Sequence, residues 1–276
     1  MRSLSAVCGL GLCAAVVMGW ADVPTALIAP DDSTVLLWHL DEGEGEIAAD
    51  ASPAGAFGGK IRGAEWVDGK FGKALRWDEG NGNVSVQGDF SAITDQFTLE
   101  AWVKLDTQPS GKEPFWAFDI AGKLFPFVMT IRPPGVLYVG VQLGEQRNWL
   151  HGQTQILIGE WTHLALVYDG PAGRIGTFVN GEIDKEFDVG PGVGDVSISD
   201  NPFWIRSYAG GNEKLVGAID EVCLSSRART FGHEWQSYVV LHTLRYSSEL
   251  LLGYWAPPNA KNPPVSFELE ITDAEG

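Results

Sequence analysis

Four acidic residues alternate along one short segment of the chain: Glu182, Asp184, Glu186 and Asp188. In a strand, alternation with a period of two places all four side chains on one face. Two convergent carboxylates could act as the acid and the nucleophile or base of glycoside hydrolysis. However, the segment follows a tight turn at Asn180-Gly181, and no aromatic cleft pattern surrounds it. We therefore interpret the row as a solvated hairpin face and expect no catalytic carboxylate pair.

The histidines and cysteines indicate no other catalytic arrangement. The five histidines are scattered, no Ser-His-Asp, Cys-His or paired zinc-ligand spacing occurs, and we expect His163 to be structural. Cys223 is the only cysteine after residue 21 and lies in an apolar segment. We expect Cys223 to be a small buried apolar residue rather than a reactive thiol.

Three tryptophans lie near predicted borders of strands and loops, where stacking platforms for sugar rings occur: Trp116, Trp149 and Trp204. An indole ring offers a broad apolar face and one polar N–H group. The chain contains 11 tryptophans, so most of them are expected in the core. A ligand contact is therefore a separate hypothesis for each of these three residues.

A run of three predicted strands, residues 161–168, 175–179 and 182–189, is the clearest structural signal. Its first strand is apolar on both faces, which is typical of a central strand. Asp169-Gly170-Pro171 and Asn180-Gly181 supply the turns, and Asn-Gly suits a two-residue hairpin turn. In the third strand we expect an acidic face opposite a mostly apolar one that includes Ile183 and Phe187.

Further predicted strands recur about every ten residues, with turn signals between them. They cover residues 35–40, 76–78, 84–86, 97–105, 115–120, 126–131, 137–143, 149–156, 203–207 and 215–224. Residues 41–59 are predicted to form a loop, and no regular alternation of helices and strands occurs. The pattern predicts an all-β fold, an antiparallel two-sheet sandwich, with a short C-terminal helix and tail.

The chain divides into five predicted segments. Residues 1–21 are typical of a secretory signal peptide, with a membrane anchor as the alternative, and 22–33 form a lead-in. The sandwich covers 34–230 and a helical extension covers 231–255. Residues 256–276 contain a Pro-rich linker and a terminal strand, which either begins a further domain or folds back. The mature chain is therefore expected to be secreted, whether extracellular, periplasmic or at the cell surface, without membrane insertion.

The formal net charge of −17 limits the classes of partner. Such a surface repels phosphate backbones and anionic lipids, so we expect no nucleic-acid partner. It does not repel neutral sugars or cations.

Five segments carry a resemblance to a known family: LWHLDEG at 37–43, GKFGKAL at 69–75, FTLEAWV at 97–103, WTHLALVYDG with VNG at 161–181, and GAIDEV at 217–222. In this order they resemble the laminin-G-like, or concanavalin A-like, jelly-roll domains over about residues 34–230. The resemblance implies a jelly-roll sandwich that binds sugars, proteins or calcium. The paired cysteines of many animal members are missing, which favours a bacterial-type member.

The same resemblance implies that a calcium ion would be held at Asp41 and Asp220. Asp220 is expected to share its strand face with Val216, Ala218 and Val222. A carboxylate on an apolar face needs either a cation or backbone donors. Both alternatives, a Ca²⁺ ligand and a hydrogen-bonded structural aspartate, follow from the sequence.

The sequence thus predicts a secreted, non-catalytic binding or adhesion module that forms part of a larger extracellular protein. Its partner would be a carbohydrate or an extracellular protein. The alternative is a polysaccharide-acting enzyme of the concanavalin A-like fold, or the carbohydrate-recognition module of one.

Overall fold

The computed structural model describes residues 26–78, 82–109, 126–190, 195–196, 202–206, 216–229 and 231, and the backbone of two strands at 238–243 and 250–255. Residues 21–232 form one compact unit, and the two C-terminal strands belong to a second one. The predicted signal peptide, the strand at 115–120 with Trp116, and the tail 256–276 lie outside the described residues.

The described strands follow one another in this order: β1 (Thr34–Trp38), β2 (Ile47–Ala48), β3 (Gly59–Arg62), β4 (Glu65–Asp68), β5 (Lys73–Trp77), β6 (Asn83–Val86), β7 (Gln96–Leu105), β8 (Phe127–Arg132), β9 (Val136–Leu143), β10 (Gln146–His151), β11 (Trp161–Asp169), β12 (Arg174–Val179), β13 (Glu182–Asp188), β14 (Phe203–Ile205), β15 (Gly217–Ser225), β16 (Tyr238–Thr243) and β17 (Leu250–Trp255). Every ladder between these strands is antiparallel. No helix occurs among the described residues, and so none there could cross a membrane. The all-β antiparallel sandwich is confirmed.

The larger sheet, called the first sheet below, has the order β13-β12-β11-β7-β15-β5-β4. Its strand β15 pairs along one side with β7, and on the other side with β5 and then with β1. The strand β11 lies between β7 and β12, as its two apolar faces predicted. Asn180 and Gly181 have φ values of 51° and 78°, which is the backbone of a tight hairpin turn that an Asn-Gly pair favours.

Two smaller sheets, β10-β9-β8 and β14-β6-β3-β2, together form the second layer. Alternate residues of both layers fill one continuous core, in which Trp38, Trp77 and Phe97 are almost completely buried. The face of each layer that points away from this core is called its outer face below. The remaining alternate side chains stand on the two outer faces, where the candidate functional groups lie.

Several local predictions differ from the structure. Residues 41–59 contain a short strand, β2, and the strands β3 and β4 follow, although two to four residues give too little alternation to be recognised. Ile183 and Phe187 are 39% and 46% exposed, because β13 is the edge strand of the first sheet. Of the helical extension predicted at 231–255, the structure describes residue 231 and the backbone of 238–243 and 250–255, where the strands β16 and β17 pair, and the extension as a whole stays a prediction. The aromatic and β-branched residues of β16 and β17 favour strands.

The face of Asp220 also differs from the prediction. Glu221 has a positive φ of 51°, and the pairing of β15 with β7 shifts between Asp220 and Cys223. This β-bulge reverses the alternation, so Val222 points into the core while Asp220 stays on the outer face opposite Trp102. Cys223 is fully buried, as predicted, and burial raises the pKa of its thiol to about 12.

Candidate functional site

The outer face of the β8–β9–β10 sheet presents a flat tryptophan. Trp149 alternates with the buried residues Asn148 and Leu150, so its ring stands on the outer face, and the residue is 38% exposed. It is paired across the strands with Gly140. A Cβ atom at Gly140 would collide with the indole ring, so the absent side chain lets the ring lie flat on the sheet.

A second, buried aromatic ring supports Trp149. Tyr138 lies on the same face of β9, with its ring centre 5.0 Å from that of Trp149 and an angle of 9° between the planes. His151 meets the ring of Tyr138 edge-on at 4.2 Å. Tyr138 is only 8% exposed, so it supports the indole, and Trp149 provides the exposed apolar surface that suits the C–H face of a sugar ring. We call Tyr138 and Trp149 the aromatic pair.

Two arginines flank the aromatic pair. The guanidinium carbon of Arg132 lies 3.5 Å from the ring centre of Tyr138, and that of Arg147 lies 5.0 Å from the ring centre of Trp149. Burial lowers the pKa of Arg147, but a guanidinium stays charged at neutral pH. Burial, followed by the charge of Arg132, lowers the pKa of His151, which keeps that imidazole neutral at pH 7.

The other two predicted tryptophans have different outcomes. Trp204 is half-buried on the outer face of the four-stranded sheet, opposite Ser85, which is in turn opposite Lys60. Trp204 is therefore a second aromatic residue on the outer face of the second layer, but it lies in a different sheet from the aromatic pair. Trp116 lies outside the described residues.

Asp41 and Asp220, the predicted calcium ligands, both bind the turn between β4 and β5. The Oδ2 atom of Asp220 accepts hydrogen bonds from the backbone N–H groups of Lys70 and Phe71, at 2.8 and 3.0 Å. The Oδ1 atom of Asp41 accepts one from the N–H group of Lys73 at 2.6 Å. The two carboxylates therefore hold one turn, which is the structural alternative that the sequence left open.

The donor set around Asp220 is small for calcium. Its Oδ1 atom is buried and accepts no hydrogen bond from the described residues, so one carboxylate oxygen is uncommitted. Ca²⁺ requires six to eight oxygen ligands, and no cluster of three or more candidate metal-binding side chains occurs among the described residues. These observations favour the hydrogen-bonded aspartate, and calcium binding stays a prediction.

Burial raises the pKa of Asp220 to about 7, against the lowering effect of the turn amides. The neighbouring Glu221 is also fully buried and accepts hydrogen bonds from the N–H group of Ile28 and from Nδ1 of His39, both at 2.8 Å. That hydrogen bond raises the pKa of His39. The Glu221–His39 contact could not be predicted from local sequence, because it depends on the β-bulge.

A further polar cluster occupies the outer face of the first sheet between β7 and β11. His163 is completely buried, with its Nε2 atom 3.1 Å from a carboxylate oxygen of Glu100. Arg229 approaches the other oxygen of Glu100 at 3.6 Å, and the ammonium group of Lys70 lies 4.3 Å from the ring centre of Trp102. His163 is thus buried against Glu100, which agrees with the structural role expected for it. Glu100 was missed, although it alternates with core residues in its strand.

The alternating acidic row lies on the edge strand β13. Asp184 accepts hydrogen bonds from the N–H groups of Gln153 and Thr154, at 2.8 and 2.7 Å, and so ties the end of β10 to the first sheet. Glu186 lies 3.5 Å from Arg174. The row therefore supports the hairpin and its neighbouring loop.

Comparisons with known proteins agree with this architecture. Domain 4 of AbnA, a GH43 extracellular arabinanase from Geobacillus stearothermophilus solved in complex with arabinotriose, is similar over 72% of this chain and 94% of that chain, at 22% identity and a TM-score of 0.53. The binding domain of the paraclostridial mosquitocidal protein 1 has a TM-score of 0.56 at 14% identity, over 72% of this chain. A sialidase from Trypanosoma rangeli has a TM-score of 0.52 at 15% identity, over 74% of this chain.

The match covers 50% of the mosquitocidal binding domain and 32% of the sialidase, so the chain spans only part of these two proteins. At these identities the three structures show the fold alone. No curated protein sequence matches the chain significantly. The laminin-G family model described as the concanavalin A-like lectin/glucanases superfamily matches residues 78–232, which is more than half of the chain. The chain therefore belongs to the concanavalin A-like lectin/glucanase superfamily.

Proposed function

We propose that this protein is a secreted, non-catalytic carbohydrate-binding module, and that it binds a polysaccharide on the outer face of the β8–β9–β10 sheet. The observation that carries the proposal is Trp149, a 38% exposed residue whose ring lies flat above a glycine and parallel to the buried ring of Tyr138. Surface tryptophans held flat by the backbone bind with little loss of side-chain entropy.

The similar structures support a saccharide ligand. Domain 4 of the arabinanase was solved with arabinotriose, and it is one domain of an extracellular enzyme. A module of this kind would hold its parent protein close to a polysaccharide surface. This role also agrees with the sequence prediction of a signal peptide at residues 1–21.

The described carboxylates support a non-catalytic role. Retaining and inverting glycosidases need two carboxyl groups that face the substrate from opposite sides. The buried carboxylates described here, Glu100, Asp220 and Glu221, each contact other groups of the protein instead. We therefore expect no release of reducing sugars when the mature chain is incubated with polysaccharides that it binds.

Affinity gel electrophoresis against a panel of plant, algal and microbial polysaccharides tests this proposal. The wild-type chain should be retarded by at least one polysaccharide, and Trp149→Ala should lose most of that retardation. Phe187→Ala is the matched control, because Phe187 is a 46% exposed aromatic residue on the first sheet. Equal retardation of the Trp149 variant and the wild type, or no retardation by any polysaccharide, would refute the proposal.

A further inference from the structure

We infer that the outer face of the β14-β6-β3-β2 sheet is a second saccharide-binding surface, and that it binds a sugar with an anionic substituent, a carboxylate or a sulfate ester. This surface, called the Trp204 surface below, consists of Trp204, Ser85, Asn83, Arg62 and Lys60. It goes beyond the proposed function, because it lies in a different sheet from Trp149 and either surface can bind without the other.

A single small side chain separates the ring of this surface from a cation. Trp204 lies opposite Ser85, and Ser85 lies opposite Lys60 on the next strand. All three point outward, because their strand neighbours, such as Val84 and Val86, are buried. Neighbouring strands are about 4.8 Å apart, so the backbones of Trp204 and Lys60 are about 10 Å apart. A sugar that stacks on the half-buried indole ring can therefore reach the cationic groups beyond the serine.

The polar groups beside Trp204 have free hydrogen-bond donors. The Nη1 atom of Arg62 donates to Oδ1 of Asn83 at 3.3 Å and to Oγ of Ser85 at 3.0 Å. The Nε and Nη2 atoms of Arg62, and the ammonium group of Lys60, have no partner among the described residues, and both residues are exposed. Since the amide and hydroxyl oxygens already accept from Arg62, the capacity that remains on this surface is mostly that of donors.

A surface rich in charged donors selects a ligand with strong acceptors. The oxygens of a carboxylate or a sulfate ester accept hydrogen bonds and donate none. A guanidinium group can form paired hydrogen bonds with such an anion, and these are stronger than hydrogen bonds between neutral groups. The indole ring supplies the apolar contact for the C–H face of the sugar itself. An unsubstituted sugar would use the ring but would gain little from the two positive charges.

The carboxylates around this surface leave its cations unpaired. The strands β2, β3, β6 and β14 contain no aspartate or glutamate. Six carboxylates lie within three positions of these strands in the sequence, and only the last is outside the described residues: Glu44, Glu46, Asp50, Glu65, Asp89 and Asp200. None of the first five forms an ion pair with Lys60 or Arg62. More distant acidic residues are largely screened, because the Debye length is about 8 Å at physiological ionic strength.

Two matched pairs of polymers test the inference by isothermal titration calorimetry with the mature chain: dextran sulfate against dextran, and polygalacturonate against its methyl ester. We expect at least one charged polymer to bind about tenfold or more tightly than its uncharged counterpart, with an affinity that falls as sodium chloride is raised. A chain with a formal net charge of −17 has no general attraction for polyanions, so such binding would report a local cationic surface. Binding of neither charged polymer, or equal binding within both pairs, would overturn the inference and leave binding at Trp149 unaffected.

Variants then locate the site. Lys60→Gln and Arg62→Gln change exposed residues and should each weaken binding of the charged polymer about tenfold, since a hydrogen bond to a charged group is lost. Trp204→Ala should weaken it as well, through loss of the ring. Lys185→Gln, which removes an exposed charge from β13, is the matched control and should bind as the wild type does. Trp149→Ala should also keep its affinity for the charged polymer. If that variant lost the binding while the Lys60 and Arg62 variants kept it, the Trp204 surface would be refuted and the proposed site supported.

Discussion

The two outer faces of this sandwich differ in what their polar groups contact. On the first sheet, His163, Glu100 and Asp220 are buried, and each contacts another protein group. On the second layer, Trp149 is partly exposed beside cationic side chains. Both faces come from the same strand alternation, so alternation alone does not distinguish a stabilising face from a binding face. The two kinds of face are distinguished by how exposed their outward-pointing side chains are.

Substitutions on the outer face of the first sheet should therefore change stability, whereas those on the β8–β9–β10 face should change binding. Measurements of unfolding and of polysaccharide affinity separate these two effects.

The largest effect is expected for Asp220→Ala. The substitution removes a buried acceptor from the N–H groups of Lys70 and Phe71 and should lower the free energy of unfolding by about 3 kcal/mol. Urea unfolding followed by fluorescence measures it. Asp41→Ala is the matched control, since Asp41 binds the same turn from an exposed position, and it should cost less than about 1 kcal/mol. Equal losses for the two variants would contradict the role of burial.

The next effect is a dependence of stability on pH. The folded pKa of Asp220, about 7, exceeds the ordinary value of about 3.9, so the folded chain binds more protons than the unfolded one between these values. The free energy of unfolding should therefore fall as pH rises from about 4 to about 7. The raised pKa of His39 acts in the same direction, because its contribution is complete below about 6.5 and is lost above the folded pKa.

Urea unfolding at a series of pH values separates the two groups. Asp220→Asn cannot ionise and should remove the decline between about pH 4 and 7, whereas His39→Gln should remove the decline that begins at about pH 6.5. An unchanged profile in both variants would show that neither group is responsible.

A smaller effect is expected from Gly140→Ala. The added Cβ collides with the ring of Trp149, which must tilt away from the sheet, and polysaccharide affinity should fall several-fold. Stability should change little, because the displaced ring is already partly exposed. Gly58→Ala is the control in the same layer, as its Cβ would meet only ordinary contacts at 3.7 Å. Unaltered affinity in the Gly140 variant would show that the flat ring is not needed.

The smallest effect is expected from calcium. Because Asp41 and Asp220 already bind backbone donors, the melting temperature should be the same with excess calcium as with a chelator. Differential scanning fluorimetry measures it. A calcium-dependent increase would instead assign a cation to the uncommitted Oδ1 atom of Asp220.

Much of the fold could be predicted from local sequence. The apolar runs of β7 and β11 and the Asn180-Gly181 turn are local signals, and the structure has all three where they were expected. The β-bulge at Glu221 could not be predicted, because it depends on strand partners distant in sequence. For the same reason the exposure of Phe187 was missed, since only the sheet order makes β13 an edge.

The candidate site was predicted only in part. Trp149 was one of three tryptophans chosen by position, and nothing in the sequence ranked it above Trp204. Its neighbours Tyr138 and Arg132 join it only through the register of three strands, which a sequence pattern does not contain. Single residues of such a surface can therefore be proposed from sequence, but their grouping requires the structure.

The position of β15 has a consequence for biogenesis. This strand, at Gly217–Ser225, lies between β7 on one side and β5 and β1 on the other, so the halves of the first sheet are joined only by residues near the end of the domain. The native pairing of this sheet therefore cannot be completed before residues 217–225 have been synthesised, which is almost at the end of the unit 21–232.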